Sequence, residues 1–294
     1  MPEHMQQLLA SAREGLRALV PQRFRGGTPV VPVVRLSGVI GISSPLRPGL
    51  TLASVARPLE RAFGMRRAKA VALLINSPGG SPVQSHLIYG RIRALSQESE
   101  KPVIAFAEDV AASGGYMIAC AADEIICDPS SVVGSIGVVG GSFGFSRLLD
   151  KIGVERRLYT SGEHKAMLDP FLPEDPDDVE RLKALQRDIH ADFINLVKAS
   201  RGGRLTGPEK TVFSGEYWTG NRAVELGLAD GIGDLRSTLR KRFGDDVLTP
   251  LISAPRSWFG RAQPGIGGFW QPPDLAEQLL SALEARAIWA RYGL

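Results

Sequence analysis

The sequence predicts an α/β domain built on parallel strands, and three observations carry that expectation. Val71–Ile75 and Val103–Ala107 are short unbroken apolar runs, the pattern of strands covered on both faces. Each run leads into a glycine pair, Gly79-Gly80 and Gly114-Gly115. Each pair opens a segment with helical spacing or small apolar character. Strand, glycine turn and helix therefore recur in close succession, which sets neighbouring strands parallel with helical crossovers between them.

In chain order, residues 1–29 begin with Met5, Leu8, Leu9, Ala12, Leu16 and Leu19 at helical spacing, with charged residues between them. This is an amphipathic helix followed by an Arg/Gly/Pro-rich linker, and neither a signal peptide nor a span. Val30–Leu36 reads as a first strand, 42–51 as a loop and 52–64 as a helix. Val71–Ile75 is the second strand, broken by Asn76-Ser-Pro-Gly-Gly80. Residues 82–98 form a helix with Leu87, Ile88, Ile92 and Leu95 inward. Val103–Ala107 is followed by a buried helix around Ile118–Ala122. Further strands are expected at Glu124–Cys127, Ile136–Val139 and Val154–Tyr159, with a short helix at 145–152. Pro176–Ser200 is a long amphipathic helix with acid in its first turn, and Val179, Leu182, Leu185, Ile189, Phe193 and Leu196 face inward. Thr219–Leu226 is a helix ended by Gly227. Residues 254–273 are rich in Gly and Pro, and Asp274 caps a last amphipathic helix with Leu275, Leu279, Leu280, Leu283 and Ile288. The expected units are thus 1–29, 30–253 and 254–294.

Composition narrows the function. Apolar residues make up 44% and charged residues 22% of the 294, which suits a folded chain with a real core. Thirty-five basic against 31 acidic residues leave a net charge of +4, too small an excess for a nucleic-acid footprint. It is compatible with mild attraction to an anionic membrane surface. Cys120 and Cys127 lie in apolar contexts without a CxxC or Cys/His cluster, so they read as buried thiols and no metal site is expected. With no export signal or span, a cytoplasmic chain is the default expectation.

Ser113 follows the third strand at a strand-to-helix turn. There a hydroxyl is either presented to a substrate or spent as a helix N-cap. Gly80 and Gly114, on two adjacent turns, can each offer a backbone N–H to one developing oxyanion. The base is open. His4, His86 and His190 fall in predicted helices, while His164 and Lys165 share a loop. A lysine is charged at neutral pH and serves as a base only where burial disfavours its charge. Gly140-Gly-Ser142-Phe-Gly144 also matches the short GxSxG pattern of a nucleophile elbow.

Five segments in order resemble one family: Ile75–Ser81, Ala112–Ala119, Asp128–Val138, Ser161–Lys165 with Asp169-Pro-Phe171, and Val212–Gly220 continued by Leu226–Gly233. The chain resembles the signal peptide peptidase A family of Ser/Lys serine peptidases, with a ClpP/crotonase-type fold of repeated β-β-α units. The resemblance implies Ser113 as nucleophile, Lys165 as general base, Ser135 as the serine that orients the lysine, and Gly80 and Gly114 as the oxyanion hole. It implies neither metal nor cofactor. It implies substrates that are short or unfolded polypeptides such as remnant signal peptides. It also implies a ring- or dome-like homo-oligomer in which a dyad can be completed across a subunit boundary. Two departures stand out. The terminal amphipathic helices replace the membrane anchor of many relatives, which leaves peripheral attachment at the inner membrane as the expectation. Glu216 occupies a position where a basic residue is expected. Two rival readings share these residues: an acyl-CoA enzyme of crotonase type, and a scaffold on a degenerate peptidase fold.

Overall fold

The computed structural model describes residues 27–41, 49–253, 283 and 286–293. The expected helix at 1–29 lies almost wholly outside them, as do most of 254–294 and the loop at 42–48.

Among the described residues, eight strands form one sheet. β1 (Val33–Ser37), β2 (Val71–Ser77) and β3 (Val103–Ala112) lie side by side in parallel, and β8 (Leu251–Ile252) flanks β1. β3 is long enough to serve two partners. Its first half pairs with β4 (Glu124–Cys127) and its second half with β5 (Val132–Gly134), both parallel. β5 carries β6 (Tyr217–Thr219) antiparallel, and β7 (Gly231–Ile232) extends β4. This is the mixed α/β architecture with a mostly parallel sheet that the sequence predicts.

Helices cover one face: α1 (Leu52–Phe63), α2 (Pro82–Ser99), α3 (Gly114–Ala119) and the C-terminal half of α5 (Pro176–Arg201). Their core is aliphatic, with Leu36, Leu73, Ile75, Ile88, Ile92, Ile118 and Ile125 fully buried. A smaller core of Val31, Val33, Ala72, Ile104, Phe106 and Ile126 on the opposite face is closed by Leu239 of α8 (Leu235–Phe243). Burial on both faces explains why β2 and β3 read as continuous apolar runs.

Three expectations need correction. The strand after β4 is Val132–Gly134, not Ile136–Val139, because the far half of β3 offers its ladder to 132–134. Val154–Tyr159 is no strand: it finds no pairing partner among the described residues and is exposed. Leu87 and Leu185 face solvent, not the core. Leu185 belongs to the N-terminal half of α5, which runs off the domain beside an exposed arm. That arm, residues 139–172, includes α4 (Ser146–Ile152) and shows Phe143, Leu148, Ile152, Val154 and Tyr159 to solvent.

Candidate active site

The site forms where β2 and β3 end. β3 does not stop at Ala107, as its apolar run suggests, but continues to Ala112. The register with β2 jumps from Ile75↔Ala107 to Ser77↔Ala111, so Glu108 and Asp109 form a bulge. Asn76 staples the bulge from β2: its Nδ2 donates to Asp109 Oδ2 at 2.6 Å and its Oδ1 accepts from Val110 N–H at 3.3 Å. Ser131 Oγ, fully buried, donates to the Glu108 carbonyl from the other side. Bulges of this kind bend the strand and re-aim the side chains beyond them. Here the bulge delivers Ser113 to the carboxyl end of the sheet.

Ser113 stands at φ 51° and ψ −123°, a conformation that side chains rarely adopt. Such a residue holds on the order of 1–3 kcal/mol of strain. It sits at the N-cap position of α3, yet its side chain makes no capping bond. The capping reading of Ser113 therefore fails, and its half-buried hydroxyl is left to other work.

The two glycine turns meet at this serine. A Cβ on Gly79 would lie 2.7 Å from Ser113 Cβ and 2.8 Å from the Gly114 nitrogen, so only glycine lets the turns touch. Gly80 has φ +140°, and a Cβ there would strike the Ile40 carbonyl oxygen at 2.1 Å. Ile40 pairs with the residues on either side of Gly80: it donates to the Gly79 carbonyl at 2.8 Å and accepts from Ser81 N–H at 2.9 Å. In a parallel bridge the intervening N–H points the other way, here toward the end of β3. Gly114 is the first residue of α3, where an N–H has no partner within the helix. Ser77 braces the turn, its buried hydroxyl donating to the Gly38 carbonyl at 2.7 Å and accepting from Gly79 N–H at 3.2 Å.

Ser135 arrives from β5. Ser113 N–H donates to the Gly134 carbonyl at 2.8 Å, and Ser135, at φ 54°, is the next residue. The structure thus assembles Ser113, Gly80, Gly114 and Ser135. No hydrogen bond joins Lys165 to them. Lys165 is exposed in the turns near the end of the arm, with no side-chain hydrogen bond among the described residues and none to Ser113 or Ser135. His164 is exposed beside it. His190 binds the Ile136 carbonyl through Nε2 at 3.0 Å, and His86 lies next to Tyr89 on α2. No histidine among the described residues therefore takes the base position in this chain. Ser142 lies in an exposed irregular loop, so the GxSxG match is not a strand-to-helix elbow.

Four contributors were not legible in the sequence. Asn76 and Ser77 read as a chain break, and Ser131 stood out only as part of the Asp128–Val138 segment. Asn76 and Ser131 act across more than twenty residues of chain, and only the paired strands show it. Tyr292 is the fourth, and its hydroxyl lies 3.3 Å from Ser135 Oγ. Cys120 and Cys127 are buried free thiols away from the site, and among the described residues no group of three or more His, Cys, Asp or Glu side chains is placed to hold a metal. No described helix is long and apolar enough to cross a membrane.

Residues 96–243 match peptidase family S49. A putative protease of a Synechocystis species is 33% identical over 220 residues, which is 73% of this chain and 77% of that protein. A Brucella abortus protein that bears the name Na(+)/H(+) antiporter NhaA is 58% identical over 287 residues, 95% of this chain, and the chain spans 39% of that relative's length. Among solved structures, a membrane-bound stomatin-specific protease in complex with a substrate peptide aligns over 87% of this chain and 98% of its own, at 16% identity and a TM-score of 0.45.

Proposed function

Because the chain belongs to peptidase family S49, we propose that it is a serine endopeptidase of short or unfolded polypeptides, with Ser113 as nucleophile and Lys165 as general base. One observation carries the reading: a strained serine, free of any capping duty, stands where two glycine turns meet in close contact. Ser113 Oγ attacks the peptide carbonyl while the uncharged Lys165 amine takes its proton. The oxyanion accepts from Gly80 and Gly114 N–H, donors of a kind worth roughly 3–4 kcal/mol each in the transition state. Lys165 then returns the proton to the leaving amine, and in the second half activates water against the acyl-serine. Ser135 holds the lysine amine by its hydroxyl. None of these steps requires a metal or cofactor.

The exposed place of Lys165 in the single chain supports a further part of the reading. The lysine lies in an arm whose apolar side chains face solvent, and a homo-oligomer would bury them and carry Lys165 into a neighbour's site. Remnant signal peptides fit as substrates because the strand ends that frame Ser113 suit an extended chain. Peripheral membrane contact would rest on the terminal segments. The test is cleavage of unfolded casein: Ser113→Ala and Lys165→Ala should each abolish it while leaving the circular dichroism spectrum unchanged. Normal turnover by either variant would reject the assignment.

A further inference from the structure

Segment 286–293 returns to the site across more than thirty residues of chain. Residues 286–290 form a helical turn, and half-buried Tyr292 follows it. The Tyr292 hydroxyl donates to the Pro78 carbonyl and to Ser135 Oγ, each at 3.3 Å. Its ring packs edge-on against Tyr217, with centroids 5.1 Å apart, and the Tyr217 hydroxyl donates to the Arg291 carbonyl at 3.2 Å. Tyr217 is the cross-strand partner of Gly134, whose carbonyl holds Ser113.

These contacts fall on both walls of the site. Pro78 precedes the Gly79-Gly80 turn on one side of Ser113, and Ser135 follows Gly134 on the other. Tyr292 bridges them. We propose that Tyr292 is a latch that closes the resting site and competes with Lys165 for the Ser135 hydroxyl. This inference rests on the peptidase reading above. A phenol carries one proton, so two acceptors at 3.3 Å share it and neither bond is strong. A weak, shared bond suits a contact that must release. While it holds, the phenol takes one acceptor site of the Ser135 oxygen and lies between the two walls that an extended polypeptide would have to cross. Docking of a lysine on Ser135, or of a substrate on the glycine turns, displaces it. The site would then open only when the assembly or the substrate supplies the competing contacts.

The test uses the full chain and fluorescein-labelled unfolded casein. Tyr292→Phe keeps the ring and loses the hydroxyl, and Tyr292→Ala loses both. Hydrolysis should rise about threefold and about tenfold respectively, the scale of one modest hydrogen bond and of that bond plus a ring contact. Unchanged or slower hydrolysis in both overturns the latch and makes Tyr292 a stabilising or positioning residue. Binding without turnover separates this from the catalytic assignment. In a Ser113→Ala background, adding Tyr292→Ala should tighten casein binding by the same factor, and saturating casein should raise hydrogen exchange in 286–293. Casein that binds with equal affinity and leaves that exchange unmoved overturns the latch alone. Failure of both Ser113→Ala proteins to bind casein overturns the peptidase reading, and the latch with it. Hydrolysis that survives Ser113→Ala but still rises with Tyr292→Ala rejects the nucleophile and keeps the latch.

Discussion

Ser113 N–H is bonded to the Gly134 carbonyl at 2.8 Å, and this bond ties the residue proposed as nucleophile to the residue proposed to hold its base, Ser135. Both serines sit at positive φ, 51° and 54°. The strain at Ser113 predicts a trade of stability for function. Ser113→Gly should remove the steric cost and raise unfolding stability by ~1 kcal/mol, after allowance for glycine's larger unfolded-state entropy. Ser113→Ala keeps a Cβ and should gain nothing. Both should be inactive. Urea titration of the three proteins, read beside casein hydrolysis, checks this. A Ser113→Gly protein less stable than wild type would mean that the serine side chain is not strained in solution.

The two glycines proposed as oxyanion donors should respond differently to alanine. At Gly80 the obstacle is the Ile40 carbonyl oxygen, 2.1 Å from the new Cβ, and φ is +140°. Backbone cannot yield cheaply, so Gly80→Ala should cost ~3 kcal/mol or more and abolish activity. At Gly114 the obstacle is Ser85 Oγ, 2.3 Å from the new Cβ. Deleting that oxygen makes room. Gly114→Ala/Ser85→Ala should recover most of the stability and activity lost in Gly114→Ala, because alanine still presents the N–H. A double-mutant cycle reads the coupling. No recovery would show that Gly114 serves the site by more than its N–H.

The range of the forces decides what the sequence alone makes visible. The Ser113 turn is local: an apolar run, a serine and two glycines specify strand, turn and helix within one stretch. The bulge is not local. Glu108-Asp109 reads as the end of a strand, and only Asn76 and Ser131, brought in by the sheet, let the strand continue. The same extension of β3 moved the next strand from 136–139 to 132–134. Val154–Tyr159 reads as a strand but has no neighbour to pair with among the described residues. Lys165 is named through family resemblance alone, since nothing in its local sequence distinguishes it from a solvated loop lysine. Tyr292 was invisible because its partners lie 157 and 214 residues away.

Arg201 and Asp230 predict an acid-sensitive anchor beneath the site. The Arg201 side chain is 0% exposed and forks onto Asp230 at 2.8 and 2.9 Å, and Asp230 also accepts from Ile125 N–H. Burial raises the Asp230 pKa, but the Arg201 hydrogen bonds, the Ile125 N–H and the charges of Arg201 and Arg204 outweigh it, so the net shift is downward. A lowered carboxyl pKa contributes stability that is present above its unfolded value, about 3.9, and is lost as pH falls through the folded value. Asp230→Ala strands a buried guanidinium and should cost about 3–5 kcal/mol at pH 7. The gap between wild type and Asp230→Asn should narrow in urea titrations as pH drops below about 4. A gap that stays constant with pH would show that the pair contributes nothing through its charge.

Burial also fixes the behaviour of the thiols. It pushes Cys120 up to about 12, and burial with the neighbouring Asp128 charge takes Cys127 to about 11. Neither should form thiolate near neutrality, and neither should react with Ellman's reagent in the folded protein. Two thiols per chain should appear on addition of guanidinium. Fast labelling of the native protein would place a cysteine at an accessible surface.

The exposed Lys165, without a hydrogen bond to Ser113 in one chain, gives the sharpest prediction of the proposed mechanism. If the dyad is completed between subunits, Ser113→Ala and Lys165→Ala chains are each inactive alone and complementary together. A mixed assembly contains interfaces where an intact Ser113 of one chain meets an intact Lys165 of the next. Random pairing at equal amounts makes such sites roughly a quarter of the total in a closed ring with one kind of interface. Unfolding and refolding the two variants together should therefore restore about that share of wild-type casein hydrolysis, while separate refolding restores none. If the arm instead folds back so that both residues act within one chain, no mixture regains activity, whatever the ratio. The exposed apolar face of residues 139–172 favours the first outcome, because Phe143, Leu148, Ile152 and Tyr159 leave the cost of their hydration unrelieved until another surface covers them.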